Sequence, residues 1–269
     1  MSQKNSKAQI IVTIGPASED LPVLEEMLSH QMDVVRFNFA WSDFREREKQ
    51  MAIIRELEKK SGKKIPIIQD LPGPRRTGVN GHSYDLSAAD VLSLQDKSSI
   101  AFGAEHGLDW IALSFVGSAA EVEACREEVK RVSGKQKIMA KIERQAALDN
   151  LDAIIASSDA VMVARGDLGN EVPIESIPFL QAEIIRKCKT AGKPVVVATE
   201  MLLSMVKNDR PTRAEVTDVA NAIIQGSDAV MLSEETSIGA HPVEAVAVME
   251  KILAESERHL PAGNTLNPL

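Results

Sequence analysis

With 269 residues, the chain is long enough for one large α/β domain or two small ones. Its 44% hydrophobic and 26% charged content is ordinary for a soluble globular protein, and it has no run of about 18 apolar residues that would mark a transmembrane helix. The formal charge of −8 argues against a nucleic-acid or anionic-membrane surface but leaves room for a local basic pocket for phosphate.

The first nine residues, MSQKNSKAQ, lack the apolar core of a secretory signal. Residues 9–14 (QIIVTI) read as a buried strand closed by Gly15-Pro16, and Ser18 can cap a helix around 20–30. A second strand covers Met32 to Asn38, a charged amphipathic helix follows over 43–60, and a third strand spans 65–70, with Pro66 near its start where the lost N–H matters least. Residues 71–96 hold Pro72, Gly73, Pro74, Gly78 and Gly81 without sustained periodicity and read as a loop or small insertion.

Regular alternation then resumes. Helices are expected near 98–106, 118–133, 146–156, 175–191, 212–225 and 242–258, and strands at 110–115, 137–142, 159–164, 194–199 and 228–232. Residues 260–269 read as a loose tail. The strands are Val/Ile-rich and nearly continuously apolar, as in parallel strands covered on both faces. Eight strand–helix units in about 250 residues match a (β/α)8 TIM barrel, a single α/β domain, better than an open doubly wound sheet. Cys125 and Cys188 fall in helix-like segments without metal-ligand spacing, so reduced thiols in a cytoplasmic protein are expected.

The polar residues at the strand ends favour the barrel. Arg36 and Asn38 end strand 2, Asp70 ends strand 3, Ser114 lies near the end of strand 4, and Lys141 and Glu143 end strand 5. Asp167 follows strand 6, Thr199 ends strand 7, and Ser233 and Glu235 follow strand 8. A barrel brings such positions to one mouth, where these enzymes place their chemistry; an open sheet would string them along an edge. Lys141 and Glu143 share a strand face, and Asp167 stands in a Gly-flanked turn. Two carboxylates and an ammonium at successive strand ends suit a hard cation with an anionic substrate. The plain alternative is a surface salt bridge.

With these residues in view, the chain resembles the catalytic barrel of the pyruvate kinase family. The matching pieces are TIGPAS (13–18), RFNF (36–39), the Asp70/Gly73-Pro74 turn, SFV (114–116), KIE (141–143), ARGDLG (164–169), AGKPVVVAT (191–199), RPTRAEVTDVANAI (210–223) and DAVMLSEET (228–236). The resemblance implies a barrel over 1–259, with residues 78–96 as a short replacement of the family's lid domain and 260–269 as a tail. The family's C-terminal domain is expected to be absent. Lys141 would face the transferring phosphoryl group and the enolate oxygen, and Glu143 and Asp167 would hold Mg²⁺ or Mn²⁺. The backbone of Gly166 and Asp167, with the Thr199 hydroxyl, would bind the substrate carboxylate. Arg36 would hold the phosphoryl group, Arg76 would lie near nucleotide phosphates, and Ser233 and Glu235 would join the water network that protonates the enolate.

Departures from the family pattern narrow the reading. Ala40-Trp41 replaces a Ser-His, Leu71 and Pro72 replace a Thr and a Lys, and one residue is deleted between Arg75 and Arg76. Acids stand at Glu200 and Glu234, where the family has Gln and Gly; facing the mouth, they would repel a triphosphate. Asn38 and Asp70 remain of the family's K⁺ site, but two of its oxygen ligands are lost at Ala40 and Leu71. Arg75 lies where potassium-independent relatives carry a lysine, so its guanidinium is expected to replace the ion beside Asp70, and K⁺ is not expected to be required.

The expected function is therefore a pyruvate-kinase-like enzyme that binds Mg²⁺ and pyruvate, phosphoenolpyruvate or a related 2-oxo acid, with phosphoryl transfer to ADP weak or lost. The alternatives are Mg²⁺-dependent pyruvate-enolate chemistry without nucleotide (aldol cleavage, decarboxylation or proton exchange) and a catalytically silent binding or regulatory relative. The resemblance also implies a homo-oligomer through the segment 200–222, and the net charge and the lack of a long apolar run leave no nucleic-acid or membrane partner expected. Trp41 is expected to pack on the following helix rather than roof the mouth. Met201 and Met205 are expected in the core or an interface.

Overall fold

In the computed structural model, β1 (Gln9–Thr13) is buried at every position, as its unbroken apolar run predicts. The structure describes residues 6–40, 43–78, 81–85, 91–260 and 265–269. After β1 come α1 (Leu21–Ser29), β2 (Val34–Asn38), α2 (Phe44–Ser61), β3 (Ile67–Asp70), β4 (Arg75–Gly78) and β5 (Gly81–Tyr84). The chain continues through α3 (Leu94–Glu105), β6 (Trp110–Leu113), α4 (Ala119–Arg131), β7 (Lys137–Ile142), α5 (Gln145–Asp149), α6 (Leu151–Ser157) and β8 (Ala160–Ala164). It ends with α7 (Arg165–Leu168), α8 (Ile177–Thr190), β9 (Val195–Ala198), α9 (Arg213–Ile224), β10 (Ala229–Leu232), α10 (Glu234–Ser237) and α11 (Pro242–Glu257).

Eight strands hydrogen-bond in the order β1-β10-β9-β8-β7-β6-β3-β2, which closes on itself, while β4 and β5 form a separate two-stranded sheet. Every barrel pairing with a described register is parallel, for example Val12 with Val35 and Lys141 with Met162. With helices alternating between the strands, this is the (β/α)8 barrel that the strand count implied.

The chain divides into two compact units, one of residues 1–37, 42–67 and 196–269 and one of residues 38–41 and 68–195. In the first, Ile10, Val12, Val35, Val197 and Val230 are fully buried, and so are Met249 and Leu253 of α11. Met201 and Met205 are buried there too, as expected. In the second, Ile68, Ile111, Ile138, Met139, Val161 and Val163 are fully buried, with Cys125 of α4 and Cys188 of α8 as buried free thiols.

Local chemistry sets the helix starts. Asp43 accepts a hydrogen bond from Glu46 N to open α2, and Gly62, at φ 67°, closes it in the left-handed conformation that glycine adopts without a Cβ clash. Reciprocal capping boxes open α3 (Ser93 and Asp96), α4 (Ser118 and Glu121) and α9 (Thr212 and Glu215).

Several details differ from the sequence reading. The box at Ser93 starts α3 at Leu94, four residues before the position that hydrophobic spacing alone implied. Within 71–96 the chain forms the antiparallel pair β4–β5, whose segments RRTG and GHSY carry no apolar alternation to announce a strand. The expected helix 146–156 is broken at Asn150 into α5 and α6. The end of the chain is tied down rather than loose: Asn267 N donates to Asp228 Oδ1 at 2.5 Å and Leu269 N to Gln9 Oε1 at 2.7 Å. Trp41, parts of 78–96 and residues 261–264 lie outside the described residues. No helix among the described residues is long and apolar enough to cross a membrane.

Candidate active site

In the unit containing β3, β6, β7 and β8, the strand ends build a charged cluster around one lysine. Strand alternation puts Lys141 and Glu143 on the same side of β7. The Lys141 ammonium lies 3.1 Å from Asp70 Oδ1, 2.8 Å from Ser114 Oγ and 2.9 Å from Glu143 Oε1. An ammonium has three N–H donors, and three oxygens surround this one. Ser114 Oγ donates to Leu71 O at 2.7 Å, which leaves its lone pair facing the lysine. The Lys141 side chain is 10% exposed and that of Glu143 is fully buried, so this ion pair is not the surface salt bridge of the plain alternative.

Two backbone features fix Glu143. Its Oε2 accepts a 2.6 Å hydrogen bond from Phe115 N. Phe115 has φ 55°, a left-handed conformation that costs a residue with a Cβ about 1 kcal/mol or more, and in this structure its N–H meets the carboxylate. Gly73, at φ 66°, makes the close approach possible: a Cβ there would stand 3.1 Å from Ser114 Cβ and 3.4 Å from the Phe115 ring.

Asp167 lies in α7, directly after β8, beside Gly166. Burial raises the pKa of both carboxyls above the ordinary range. For Glu143, the charge of Asp167 adds to the rise, while Lys141 and the Phe115 N–H oppose it. For Asp167, Lys141, a hydrogen bond with Glu143 and Arg75 oppose the rise, and Asp70 adds to it.

This donor set fits a hard divalent cation. A buried carboxyl beside a partly buried one resists carrying two negative charges, and Glu143 Oε1 is buried without an ideal hydrogen bond although it lies at ion-pair distance from Lys141. No group of three or more His, Cys, Asp or Glu able to hold a metal occurs among the described residues. Such an ion would therefore take two protein carboxylates and complete its shell from water or substrate.

Other expected residues take different positions. In the same unit, Asn38 Oδ1 accepts from Ala40 N at 3.0 Å, closing a turn at the end of β2. The charge of Arg75 acts on Asp167, and Lys141 lies within hydrogen-bonding distance of Asp70. Arg76 is exposed and paired with Asp85 at 2.9 Å.

In the other unit, Arg36 is buried and its Nη1 donates to Thr13 Oγ1 at 3.1 Å, which itself donates to Leu232 O at 2.8 Å. Thr199 and Glu200 occupy consecutive left-handed positions, φ 69° and 54°, after β9, and Thr199 Oγ1 donates to Ala198 O at 2.7 Å. Glu235, expected in a water network, takes a backbone-bracing position here. It is fully buried, and its two oxygens accept from Leu202 N at 3.0 Å and Ser233 N at 2.7 Å. The carboxylate brackets the ends of β9 and β10, because backbone N–H groups buried there need acceptors.

Phe115, Tyr84 and Arg144 escaped the sequence reading. The one available signal was that Tyr84 is the chain's single tyrosine, placed in a stretch with no periodicity.

Comparison with known proteins places this geometry. The model of the pyruvate kinase barrel domain matches residues 5–82 and 75–246. A pyruvate kinase of Bacillus licheniformis is 36% identical over 94% of this chain and 58% of its own length. Pyruvate kinases of Agrobacterium vitis (36% identical) and Thermococcus litoralis (34%) each match over 96% of this chain and 71% of their own length. The chain thus spans 58% of the first of these relatives. The alignment with that relative runs over 337 positions, although this chain has 269 residues, so the relative carries residues that this chain lacks.

Proposed function

The chain belongs to the pyruvate kinase family, and on that premise we propose that it binds a divalent cation together with pyruvate or phosphoenolpyruvate and stabilises the enolate of pyruvate. The observation that carries the reading is the Lys141 ammonium within hydrogen-bonding distance of Asp70 and Ser114 and 2.9 Å from Glu143, a carboxylate whose neighbour is Asp167.

Glu143 and Asp167 would hold Mg²⁺ or Mn²⁺, which when bound supplies positive charge against the oxygens of the substrate. Lys141 lies between the two carboxylates it touches and would face negative charge as it develops on the enolate oxygen. The backbone of Gly166 and Asp167 would orient the substrate carboxylate. In the other unit, Arg36 is proposed for the phosphoryl group, Thr199 for the substrate carboxylate and Ser233 for proton delivery, all three on the match to the family pattern. The Arg76–Asp85 pair gives Arg76 a partner within the hairpin and weakens its assignment to nucleotide.

One observation favours enolate chemistry over full phosphoryl transfer. The family match comes in two segments that overlap at residues 75–82, within the β4–β5 hairpin, where the relatives' additional residues would interrupt the barrel. A hairpin of this size supports the reading that the family's lid is replaced here by a short element. Closure and positioning contribute several kcal/mol to such barriers, so transfer to ADP would be slowed on the order of a thousandfold. The test is proton NMR of pyruvate in D₂O with Mg²⁺ and the protein, with and without nucleotide. Methyl exchange with slow or absent kinase turnover is expected. Absence of exchange with metal bound would favour a catalytically silent relative.

A further inference from the structure

In the β4–β5 hairpin Arg75 stands directly opposite Tyr84. Residues directly opposite in an antiparallel pair project to the same face. The positive charge of Arg75 acts on Asp167, and β5 packs against α7, which carries that aspartate. The Tyr84 ring lies 6.3 Å from the Phe115 ring, inclined at 53°, and the Arg144 guanidinium sits 3.7 Å from its centroid on an aromatic face. Arg144 is buried and held at 3.4 Å from both carboxylate oxygens of Glu121, so the tyrosine rests against a fixed cation. Phe115 holds the left-handed conformation in which its N–H reaches Glu143.

We propose that Tyr84 is a positioning residue for Glu143: clamped by Arg144, it holds the Phe115 ring and thereby keeps the strained Phe115 N–H on the carboxylate. The hairpin would then serve the two carboxylates from a single pair of residues, Arg75 through charge and Tyr84 through packing. This rests on the proposed role of Glu143 as a cation ligand. Left-handed backbone at a residue with a Cβ persists only where its surroundings hold it, and the ring contact is such a restraint.

The test is Mn²⁺ titration followed by electron paramagnetic resonance on the wild type, Tyr84→Phe, Tyr84→Ala, Phe115→Ala and the double alanine variant, with far-UV circular dichroism and urea midpoints confirming that each is folded. Tyr84→Phe keeps both ring contacts and should bind Mn²⁺ as the wild type does. Tyr84→Ala should weaken Mn²⁺ binding about fivefold, the scale of one aromatic contact, and should add nothing in the Phe115→Ala background. If Tyr84→Ala does not fold, Tyr84→Leu, which keeps apolar bulk without a ring, takes its place. A purely structural tyrosine would lower the urea midpoint and leave the affinity unchanged, and that result overturns the inference. An equal loss in the Phe115→Ala background also overturns it. Either failure leaves Mn²⁺ bound to the wild type and the proposed function standing; a wild type that binds no Mn²⁺ overturns both.

Discussion

Glu143 Oε1 lies 2.9 Å from Lys141 Nζ yet is buried without a well-formed hydrogen bond, while Oε2 of the same carboxylate is held by Phe115 N at 2.6 Å. One oxygen is fixed by the backbone, and the other is charge-paired with Lys141. That is the arrangement expected of a ligand poised for a hard cation with Asp167 beside it. Asp167→Asn should accordingly weaken Mn²⁺ binding at least about tenfold, because a carboxylate ligand is replaced by a neutral amide. Direct titration decides this, and an unchanged affinity would remove the cation from these residues.

Lys141 carries two burdens that one substitution separates. Lys141→Met removes the ammonium facing the proposed enolate oxygen, so methyl-proton exchange of pyruvate in D₂O should disappear. It also leaves Asp70 and Glu143, both buried, without the cation between them. Breaking a buried pair in this way costs about 3–5 kcal/mol, less where a carboxyl takes up a proton. A lower urea midpoint together with lost exchange is the expected outcome. Exchange at the wild-type rate in this variant would dismiss the lysine from the chemistry.

Monovalent cations should be dispensable. The Asp70 carboxylate has the Lys141 ammonium at 3.1 Å, and Arg75 contributes positive charge to the neighbouring Asp167. Exchange rates measured in K⁺ and in a bulky organic cation at equal ionic strength should agree within about twofold, since screening is then the same. A strong K⁺ requirement would contradict the replacement of that ion by protein cations, as would full activity of Arg75→Ala without K⁺.

Much of this arrangement was legible before the structure. The strands were visible as Val/Ile runs because parallel barrel strands are buried on both faces, and the strand-end charges pointed to Lys141, Glu143, Asp70 and Asp167 because chemistry in this fold gathers there. The hairpin was not legible, since RRTG and GHSY are polar four-residue strands without apolar alternation. The backbone contacts of Glu235 are not legible in sequence either, because sequence shows a carboxylate but not the N–H groups it meets; Leu202 N and Ser233 N donate to its two oxygens. Phe115 was hidden for a related reason: its part depends on a backbone torsion, φ 55°, which an apolar residue at a strand end does not announce.

The last prediction concerns pH and the start of α9. Glu215 closes the α9 capping box with Thr212 and also reaches the segment after β9. Its Oε1 accepts from Ser204 N at 2.6 Å, and its Oε2 accepts from Ser204 Oγ at 2.5 Å, Thr212 N at 2.7 Å and Thr212 Oγ1 at 2.9 Å. Burial alone would raise its pKa, but the hydrogen bonds from Ser204 and Thr212 together outweigh burial and hold the carboxyl below its ordinary value of 4.5. An acid whose pKa is lower folded than unfolded adds stability that is fully present above the unfolded pKa and is lost as pH falls through the folded one. Glu215→Gln keeps the side-chain shape but turns an amide NH₂ toward groups that donate, so it should cost about 1 kcal/mol at pH 7, the usual scale of a lost cap. Below pH 4.5 the unfolded carboxyl begins to take up a proton, and at lower pH the folded carboxyl does too and loses acceptor capacity, so the difference between the two proteins should shrink steadily toward zero. Urea unfolding of both proteins at pH 7, 5, 4 and 3 measures this directly. A stability difference that stays constant down to pH 3, or grows, would show that the carboxylate charge plays no part in holding the Ser204 segment to α9.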